Sequence, residues 1–440
     1  MARTDSLGHF LTDVADAIRT KGGTSATIQA SSFDTAIANL PSGGGTIEPT
    51  EKDVNFYDYD GTRVYTYTKA DFLQLSALPN VPTHDGLISQ GWNWTLSDAK
   101  TFVTTYNKLD IGPYYITSDN ATRIYIRLND TNRLNPCLGL NLTGTATIDW
   151  GDNSSTDSVT SNDISTTIRT QHTYSSVGDY VVSITGGDLY LSGATTANSS
   201  YLFTIDSTSA SYANCYLNSI YKIEIGDNIK NYGFACFAHL HNLKSITIPS
   251  NSVNMSSNYE FYYCSSLKFV TFPNSSIIPQ YCFSDCSALE IVSFSKSVIS
   301  TNSYVFAKCY SLLRCIIPTT NITTLGSTTF QYCYSLKEVI KVGQEDRISQ
   351  TTYSNCVSLT KYVAPSTLTR IDANAFNSCV SMKIYDFSAI TSVPTLASTS
   401  AFNNIASDCI MIIPDSLYST WSTASIWSSF ASHMIKASEA

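Results

Sequence analysis

The apolar positions in the C-terminal half of the chain follow a fixed period. In each copy an aromatic residue is followed by Cys in most cases, then by Leu, and then by two apolar residues that flank one variable position. The steps between copies are 24, 22, 23, 24, 23 and 23 residues. The copies begin at Phe237, Phe261, Phe283, Phe306, Phe330, Tyr353 and Phe376. A unit this short cannot bury its own apolar face, so the period predicts a solenoid over residues 191–414 with a helical cap over 415–440.

Each copy ends in a short strand whose side chains alternate between the interior and the outer surface. In the second copy Leu267, Val270 and Phe272 are expected to point inward, which leaves Phe269 and Thr271 outside. The outward positions form a mixed, partly apolar stripe that suits a protein or polysaccharide partner. The predicted binding stripe comprises Thr247, Phe269, Thr271, Ile291, Arg314, Ile316, Glu338, Ile340, Lys361 and Val363. Two alternatives remain: a solvated sheet face without function, or binding by a Tyr-rich convex side.

Residues 1–41 have apolar positions at helical spacing and predict a helical hairpin. The apolar stripes of the two helices contain Leu7, Phe10, Leu11, Val14, Ile18, Phe33 and Ile37. Helices this short bury such stripes poorly on each other, so we expect these residues to attach the chain to another subunit or a particle surface. A small cap on the next domain is the alternative. Residues 42–49 contain three consecutive glycines and form a predicted linker.

Two further domains are predicted between the linker and the repeats. Residues 50–115 form an aromatic-rich α+β module, with a hairpin around a turn at Asp60 and with Trp92 and Trp94 ahead of a helix. Its aromatic residues either form its core or stack on sugar rings. Residues 116–190 alternate apolar and polar positions between turns, which predicts an Ig-type β-sandwich. The predicted fold class is therefore multidomain, mainly β with some α.

Composition and charge narrow the classes of function. Only 14% of the residues are charged and 28 are Tyr, which is typical of extended β surfaces. The net charge is −9 without a Lys/Arg cluster, so we expect no nucleic-acid partner. The sequence contains no apolar run of 18 residues, so we expect no membrane span. The first residues lack the apolar core of a signal peptide, so we expect synthesis and assembly in a cytoplasm.

A search for catalytic motifs finds no candidate active site. No nucleophile elbow, P-loop, zinc-binding HExxH or dinucleotide motif occurs, so we expect no catalytic residue, no cofactor and no metal ligand. A polysaccharide hydrolase needs only two carboxylates from distant positions, so that reaction stays open. Buried thiols are favoured over disulfides for the six cysteines that share one repeat position. These are Cys264, Cys286, Cys309, Cys333, Cys356 and Cys379.

Three parts of the chain resemble known families. The Phe261-to-Pro273 pattern and its copies resemble BspA-like leucine-rich repeats, and the segment from Ile412 to Phe430 is similar to the helical cap that follows them. Asp149-Trp-Gly-Asp, then His172-Thr-Tyr, resembles the PKD family of Ig-like domains. The segments Leu11-Thr-Asp-Val-Ala-Asp-Ala-Ile-Arg19 and Lys21-Gly-Gly-Thr24 occur near the N-terminus. With them, the N-terminal 45 residues resemble the helical leader of tail and other structural proteins in phages and prophages of Gram-positive hosts. These resemblances imply adhesion and spacing, without catalysis.

Together they lead us to expect a phage virion structural protein of the tail or baseplate that binds the host surface through its repeats. The expected partners are other virion proteins at the leader and a host surface protein or polysaccharide at the repeats. A trimer is common among such appendages, but no coiled-coil heptads enforce it. The alternatives are a capsid-bound decoration or head fibre and, third, a bacterial surface adhesin.

Overall fold

A computed structural model describes residues 50–191, 203–204, 217–252, 255, 257–273, 277–297, 300–318, 325–341 and 345–440. The predicted helical hairpin of residues 1–41 and the predicted linker of residues 42–49 lie outside the described residues. The described part is mainly β with few helices, and the C-terminal region is a β-solenoid, as the repeat period predicts.

The first described unit, which we call the aromatic module, comprises residues 50–117. Its strands β1, β2 and β4 form one sheet in the order β2-β1-β4, and β3 pairs antiparallel with β5. Thr68 and Thr95 cap its two helices through their hydroxyl oxygens. The elements are β1 (Val54–Tyr57), β2 (Arg63–Tyr67), α1 (Lys69–Gln74), β3 (Leu87–Trp92), α2 (Leu96–Tyr106), β4 (Leu109–Ile111) and β5 (Pro113–Thr117). Phe56, Phe72, Phe102 and Val103 are buried, so the aromatic residues of the module include core residues.

Residues 122–246 contribute to two sheets that share a buried core. The larger has the order β15-β13-β6-β11-β8-β9, with β14 beside β11, and the smaller has the order β10-β7-β12. The strands are β6 (Thr122–Leu128), β7 (Cys137–Leu140), β8 (Leu142–Asp149), β9 (Asp157–Ser161), β10 (Ile168–Gln171), β11 (Gly178–Leu191), β12 (Phe203–Thr204), β13 (Ile220–Glu224), β14 (Ile229–Tyr232) and β15 (Ser245–Ile246). Trp150 and Tyr174 lie in the core, where the Tyr174 hydroxyl donates to the Trp150 carbonyl at 2.9 Å. Assignment of this region to the PKD family stays a prediction.

The larger sheet joins this region to the solenoid. Strand β13 pairs antiparallel with β6 and parallel with β15 of the repeat region. Sheet hydrogen bonding therefore continues across the predicted boundary at residue 190, because β11 runs through to Leu191 and the next sheet members come from the repeats. The first turn of the solenoid is covered by this sheet, which meets the need of a solenoid for a cap at each end.

The solenoid has two rows of parallel strands. One row, the strand face, contains β16, β18, β20, β21, β23, β25, β27 and β28. Its bounds are β16 (Phe269–Thr271), β18 (Ile291–Ser293), β20 (Arg314–Ile317), β21 (Glu338–Lys341), β23 (Lys361–Val363), β25 (Ile384–Asp386), β27 (Ile410–Ile413) and β28 (Met434–Lys436). The other row comprises the short strands β17 (Ile277–Ile278), β19 (Ser300–Thr301), β22 (Arg347–Ile348), β24 (Arg370–Ile371) and β26 (Thr395–Leu396).

A ladder of aromatic rings runs through the solenoid core. Consecutive rings lie 5.2–5.7 Å apart and within 19° of parallel. The ladder comprises Phe237, Phe261, Phe283, Phe306, Phe330, Tyr353, Phe376 and Phe402. Beside it, each cysteine of the shared position is buried, and its thiol donates to the carbonyl of the aromatic residue one turn earlier. The predicted buried thiols are confirmed at all six positions.

Each turn also holds non-glycine residues in the left-handed backbone region beside the ladder ring. Tyr259 (φ 67°) and Tyr263 (φ 61°) flank Phe261 in this way. Such a conformation costs about 1–2 kcal/mol per residue, so it needs compensation. The N–H groups of Tyr259 and Tyr263 donate to Gln280 and Ser284 of the next turn, each at 3.0 Å. Stacking of the turns therefore supplies the hydrogen bonds that hold this bend.

The C-terminal cap combines helix and strand. Helix α3 (Tyr418–Thr423) and a 3-10 helix (Trp427–His433) place buried Trp421 and Trp427 over the last turn. The Trp427 indole donates to the Pro394 carbonyl at 2.7 Å. The sequence predicts a helical cap over residues 415–440. The structure has helices there and also β28, the last strand of the sheet.

Candidate binding surface on the strand face

The aromatic module packs on the first half of the strand face. The ring of Tyr57 stacks on Phe269 with 5.1 Å between centroids, and Ile291 belongs to the same buried cluster. Ile316 and Ile340 lie within the hydrophobic core of the module itself. The outward side chains of β16, β18 and β20 therefore form an internal interface of the chain.

A buried ionic cluster lies at the centre of this interface. Both Asp110 carboxylate oxygens accept hydrogen bonds from the Arg314 guanidinium at 2.5 Å, in a bidentate pair. Arg314 also contacts the Glu51 carboxylate, and the Tyr57 hydroxyl lies 3.4 Å from its Nη2. The side chains of Arg314 and Asp110 are only 6% and 3% exposed, so each charge depends on the other for solvation.

Polar contacts complete the docking. The indole of Trp94 donates to the Phe294 carbonyl at 2.9 Å, and Asn93 donates to Ser293 Oγ at the same distance. Gly112 lies so close to the solenoid that a Cβ there would be 2.1 Å from the Thr271 hydroxyl oxygen. The module therefore fits this part of the strand face closely, both in shape and in hydrogen bonding.

The predicted binding stripe is thus largely inaccessible. Buried members of the stripe are Thr247, Phe269, Thr271, Ile291, Arg314, Ile316 and Ile340. The expectation that these seven are exposed is wrong: the module covers the stripe, and the Thr247 hydroxyl instead accepts from the backbone of Ile225. Glu338, Lys361 and Val363 remain accessible, so the open part of the stripe begins at β21.

Those three residues line a groove of about 710 Å³, here named the open groove. It begins where the module ends and follows the strand face across β21 and β23. Its lining combines apolar, aromatic and charged residues: Tyr106, Lys108, Lys337, Glu338, Val339, Lys341, Glu345, Tyr353, Leu359, Thr360, Lys361, Tyr362, Val363, Ala364 and Pro365. Val363 is an apolar residue, yet it is 58% exposed and does not pack in the solenoid core.

The floor of the open groove contains a buried polar group of three residues. Lys341 Nζ lies 3.3 Å from a Glu345 carboxylate oxygen, and the Tyr362 hydroxyl donates to the other oxygen at 3.0 Å. Burial raises the pKa of Glu345, and it lowers the pKa of Lys341, with the opposite charge offsetting each effect only in part. Lys341 Nζ is buried, so Glu345 in the floor of the groove, and not solvent, balances its charge.

The walls of the open groove are charged pairs of both signs. Lys108 of the module lies 2.9 Å from Glu338, which ties the end of the module to β21. Lys361 lies 3.8 Å from Asp386 on the neighbouring strand. Such a surface can bind a ligand through hydrogen bonds, ion pairs and one apolar contact. Among the described residues no group of three or more His, Cys, Asp or Glu side chains is arranged to hold a metal ion.

Two rows of parallel strands, a ladder of core aromatics and an open groove on one face define a repeat solenoid with a ligand-accessible surface. Residues 207–337 and 256–383 match the BspA type leucine-rich repeat region, with six copies. Residues 207–383 are therefore a BspA-type leucine-rich-repeat region. In the part of the chain that the structure describes, no helix is both long and apolar enough to span a membrane.

Several solved structures are similar to this chain. A leucine-rich repeat protein from Bacteroides ovatus shares 19% sequence identity with this chain, with a TM-score of 0.32. The match covers 49% of this chain and 65% of that protein's chain. A leucine rich cell surface protein from Faecalibacterium prausnitzii shares 16% identity, with a TM-score of 0.22, 44% of this chain and 73% of that chain covered. The match thus spans less than two thirds of the first structure. No curated protein sequence matches the chain.

Proposed function

We propose that this protein is a non-enzymatic binding protein of a phage particle, in the tail or baseplate, and that the open groove contacts the host surface. The observation that carries the proposal is the division of the strand face: one half is sealed by the chain itself, and the other half stays accessible on a BspA-type solenoid. A rigid strand-built surface of this kind holds its side chains in place before a partner arrives, which lowers the entropic cost of binding.

The composition of the open groove supports a polysaccharide or a polar protein surface as partner. Glu338 and Lys361 offer accessible charges, and Val363 offers an apolar contact. Sites that bind polar ligands commonly combine a few fixed polar groups with such apolar contacts. In the proposed assembly the predicted leader of residues 1–41 binds other virion proteins.

The phage location rests on the resemblance of the N-terminal 45 residues to phage leaders. A capsid-bound head fibre is compatible with the same leader. The BspA-type repeats by themselves fit a bacterial surface adhesin, which is therefore the second candidate.

The binding test uses the full chain and two exposed valines. Val363 lies in the open groove, whereas Val380, 51% exposed, lies outside its lining and serves as the matched control. We expect saturable binding to intact Gram-positive cells or their wall polysaccharide, lost in Val363→Asp and retained in Val380→Asp. Equal binding by both variants, or no binding to any host, contradicts the role of the groove.

The location test compares particles assembled with the full chain and with residues 1–45 deleted. Incorporation that requires these residues supports a virion component. Immunogold labelling then distinguishes the tail from the capsid. Display on a bacterial surface without any particle would instead support the adhesin.

A further inference from the structure

A second groove lies where the aromatic module, the larger sheet of residues 122–246 and the first solenoid turns meet. It has a volume of about 970 Å³, and we call it the junction groove. Its lining comprises Tyr59, Asp60, Arg127, Asn129, Asn218, Ser219, Tyr221, Lys222, Asn242, Lys244, Ser245, Ser265, Ser266, Lys268 and Ala288. None of these residues belongs to the open groove, so the two surfaces are separate.

Cationic side chains outnumber carboxylates in the lining of the junction groove, and Asp179, Glu224 and Glu290 lie beside three of these cations. Four of its lining residues are cationic and one, Asp60, is a carboxylate, in a chain of net charge −9. Lys244 is exposed and has no acidic group within ion-pair distance among the residues that the structure describes. Lys268, 65% exposed, lies 3.8 Å from Glu290. These two ammonium groups are therefore accessible to an anionic ligand.

The other two cations are fixed in place. Arg127 makes a bidentate pair with Asp179, with both distances 2.7 Å, and its guanidinium lies 5.3 Å from the ring of Tyr221. Lys222 Nζ lies 2.7 Å from Glu224. Burial lowers the pKa of Lys222, but the interactions with Glu224 and Tyr59 outweigh it, so the net pKa is raised. Arg127 and Lys222 are therefore each balanced by a carboxylate, which leaves Lys244 and Lys268 as the cations that can meet an anionic ligand.

The remaining lining is rich in neutral hydrogen-bonding groups. Three Asn and four Ser side chains surround the cations, and amides and hydroxyls both donate to and accept from sugar hydroxyls. Nucleic-acid bases would need open aromatic faces. Tyr59 instead packs edge-to-face on His84, at 5.0 Å, and on Tyr115, at 5.6 Å. The chemistry of the groove thus favours a charged saccharide over a nucleic acid.

We propose that the junction groove binds an anionic oligosaccharide, a sugar chain that carries carboxylate or phosphate groups. Lys244 and Lys268 contact the anionic groups, and the Asn and Ser side chains contact the hydroxyls. The site is independent of the open groove and gives the protein a second, charge-selective contact with a saccharide-bearing surface.

The test is a calorimetric titration of the full chain with three probes of equal length: a galacturonic acid oligosaccharide, a phosphorylated mannose oligosaccharide and a neutral maltose-series oligosaccharide. We expect saturable binding of at least one anionic probe, weakened by added salt, and no binding of the neutral probe. Which of the two anionic probes binds shows whether the groove prefers carboxylate or phosphate groups. The double variant Lys244→Gln and Lys268→Gln should raise the Kd at least about tenfold, because charge-assisted contacts are lost.

The matched control is Lys296→Gln with Lys383→Gln, which removes the same charge from exposed lysines that line neither groove. We expect its Kd to stay within about twofold of the wild type. An equal loss in both double variants would mean that only net charge matters and would overturn the site. So would failure of both anionic probes to bind, equal affinity for the neutral probe, or tighter binding of a single-stranded DNA oligonucleotide. Unfolding midpoints of both variants check that the fold is intact.

Discussion

The two halves of the strand face have the same backbone geometry and opposite surroundings. In β16, β18 and β20 every residue is buried, whereas in β23 burial alternates as exposed, buried, exposed. The inward side chains pack on the same core in both halves. Only the outward side chains differ: Phe269 and Ile291 in the covered half, Lys361 and Val363 in the open half.

This difference teaches how to interpret an apolar stripe on a solenoid. A large apolar face is expensive to leave in water, so a chain with other domains tends to cover it with one of them. In the open half the outward positions are charged or isolated apolar residues, which water tolerates. Binding function is therefore to be sought where the apolar character fades, at β21 and β23.

The largest expected effect concerns the ionic cluster of the covered half. Arg314→Ala leaves Asp110 buried without its cation and should lower the free energy of unfolding by about 3–5 kcal/mol. Arg370→Ala is the matched control, since Arg370 is 46% exposed and its partner Asp372 keeps Arg347 at the other oxygen. That control should cost about 1 kcal/mol or less.

Urea unfolding followed by tryptophan fluorescence measures both variants, because Trp94 lies in the docked module. Equal losses in the two variants would show that the cluster does not hold the module on the solenoid.

A smaller effect is expected from steric pressure at the same interface. Gly112→Ala introduces a Cβ 2.1 Å from the Thr271 oxygen and should destabilise the docked state by about 1–3 kcal/mol. In Gly86→Ala the new Cβ meets nothing within 4 Å, so only the strain of its φ of +76° remains, about 1 kcal/mol. Limited proteolysis should cut the module faster in the first variant alone, and faster cutting in the second would argue against a close fit.

Effects of similar or smaller size are expected from substitutions of two buried glutamates. Glu260, in the turn that leads to β16, has no cation beside it among the described residues, and burial raises its pKa well above the ordinary range. The folded state therefore keeps a proton that the unfolded chain loses above about pH 4.3, and stability falls as the pH rises. Glu260→Gln should stabilise the fold on the order of 1 kcal/mol at pH 8 and have no effect below about pH 4.

Glu345 in the open half should behave in the opposite way. Its pKa is also raised by burial, but Lys341 lies 3.3 Å away. Glu345→Gln leaves that ammonium buried without a counter-charge and should destabilise the fold by about 1–3 kcal/mol at pH 7. Thermal unfolding between pH 4 and 8 follows both variants. If both substitutions changed the stability of the fold in the same direction at pH 7, this distinction would be contradicted.

The repeat could be predicted from the sequence because its physics is local. A ring at each copy and a cysteine three residues later define the ladder and the thiol position, and the structure confirms both. The match of residues 207–383 to BspA-type repeats agrees with that prediction. Strand alternation also separated inward from outward side chains correctly, as the burial of β23 illustrates.

The docking of the module could not be predicted in the same way. Its contacts join residues about 200 positions apart, such as Asn93 with Ser293, and no local pattern encodes such a pair. One signal was present: Asp110 lies between the apolar residues Leu109 and Ile111 in a fully buried strand, and a buried carboxylate that stays charged requires a partner such as a cation. Arg314 is that cation.

Hydroxyl-radical footprinting of the full chain tests the division of the strand face most directly. Phenylalanine and isoleucine react readily with the radical when accessible, so burial is the reason for any protection. We predict that Phe269 and Ile291 are protected, whereas Val363 and Val380 are modified. Modification of Phe269 and Ile291 as fast as Val363 would contradict the covered half and, with it, the account of where this protein binds.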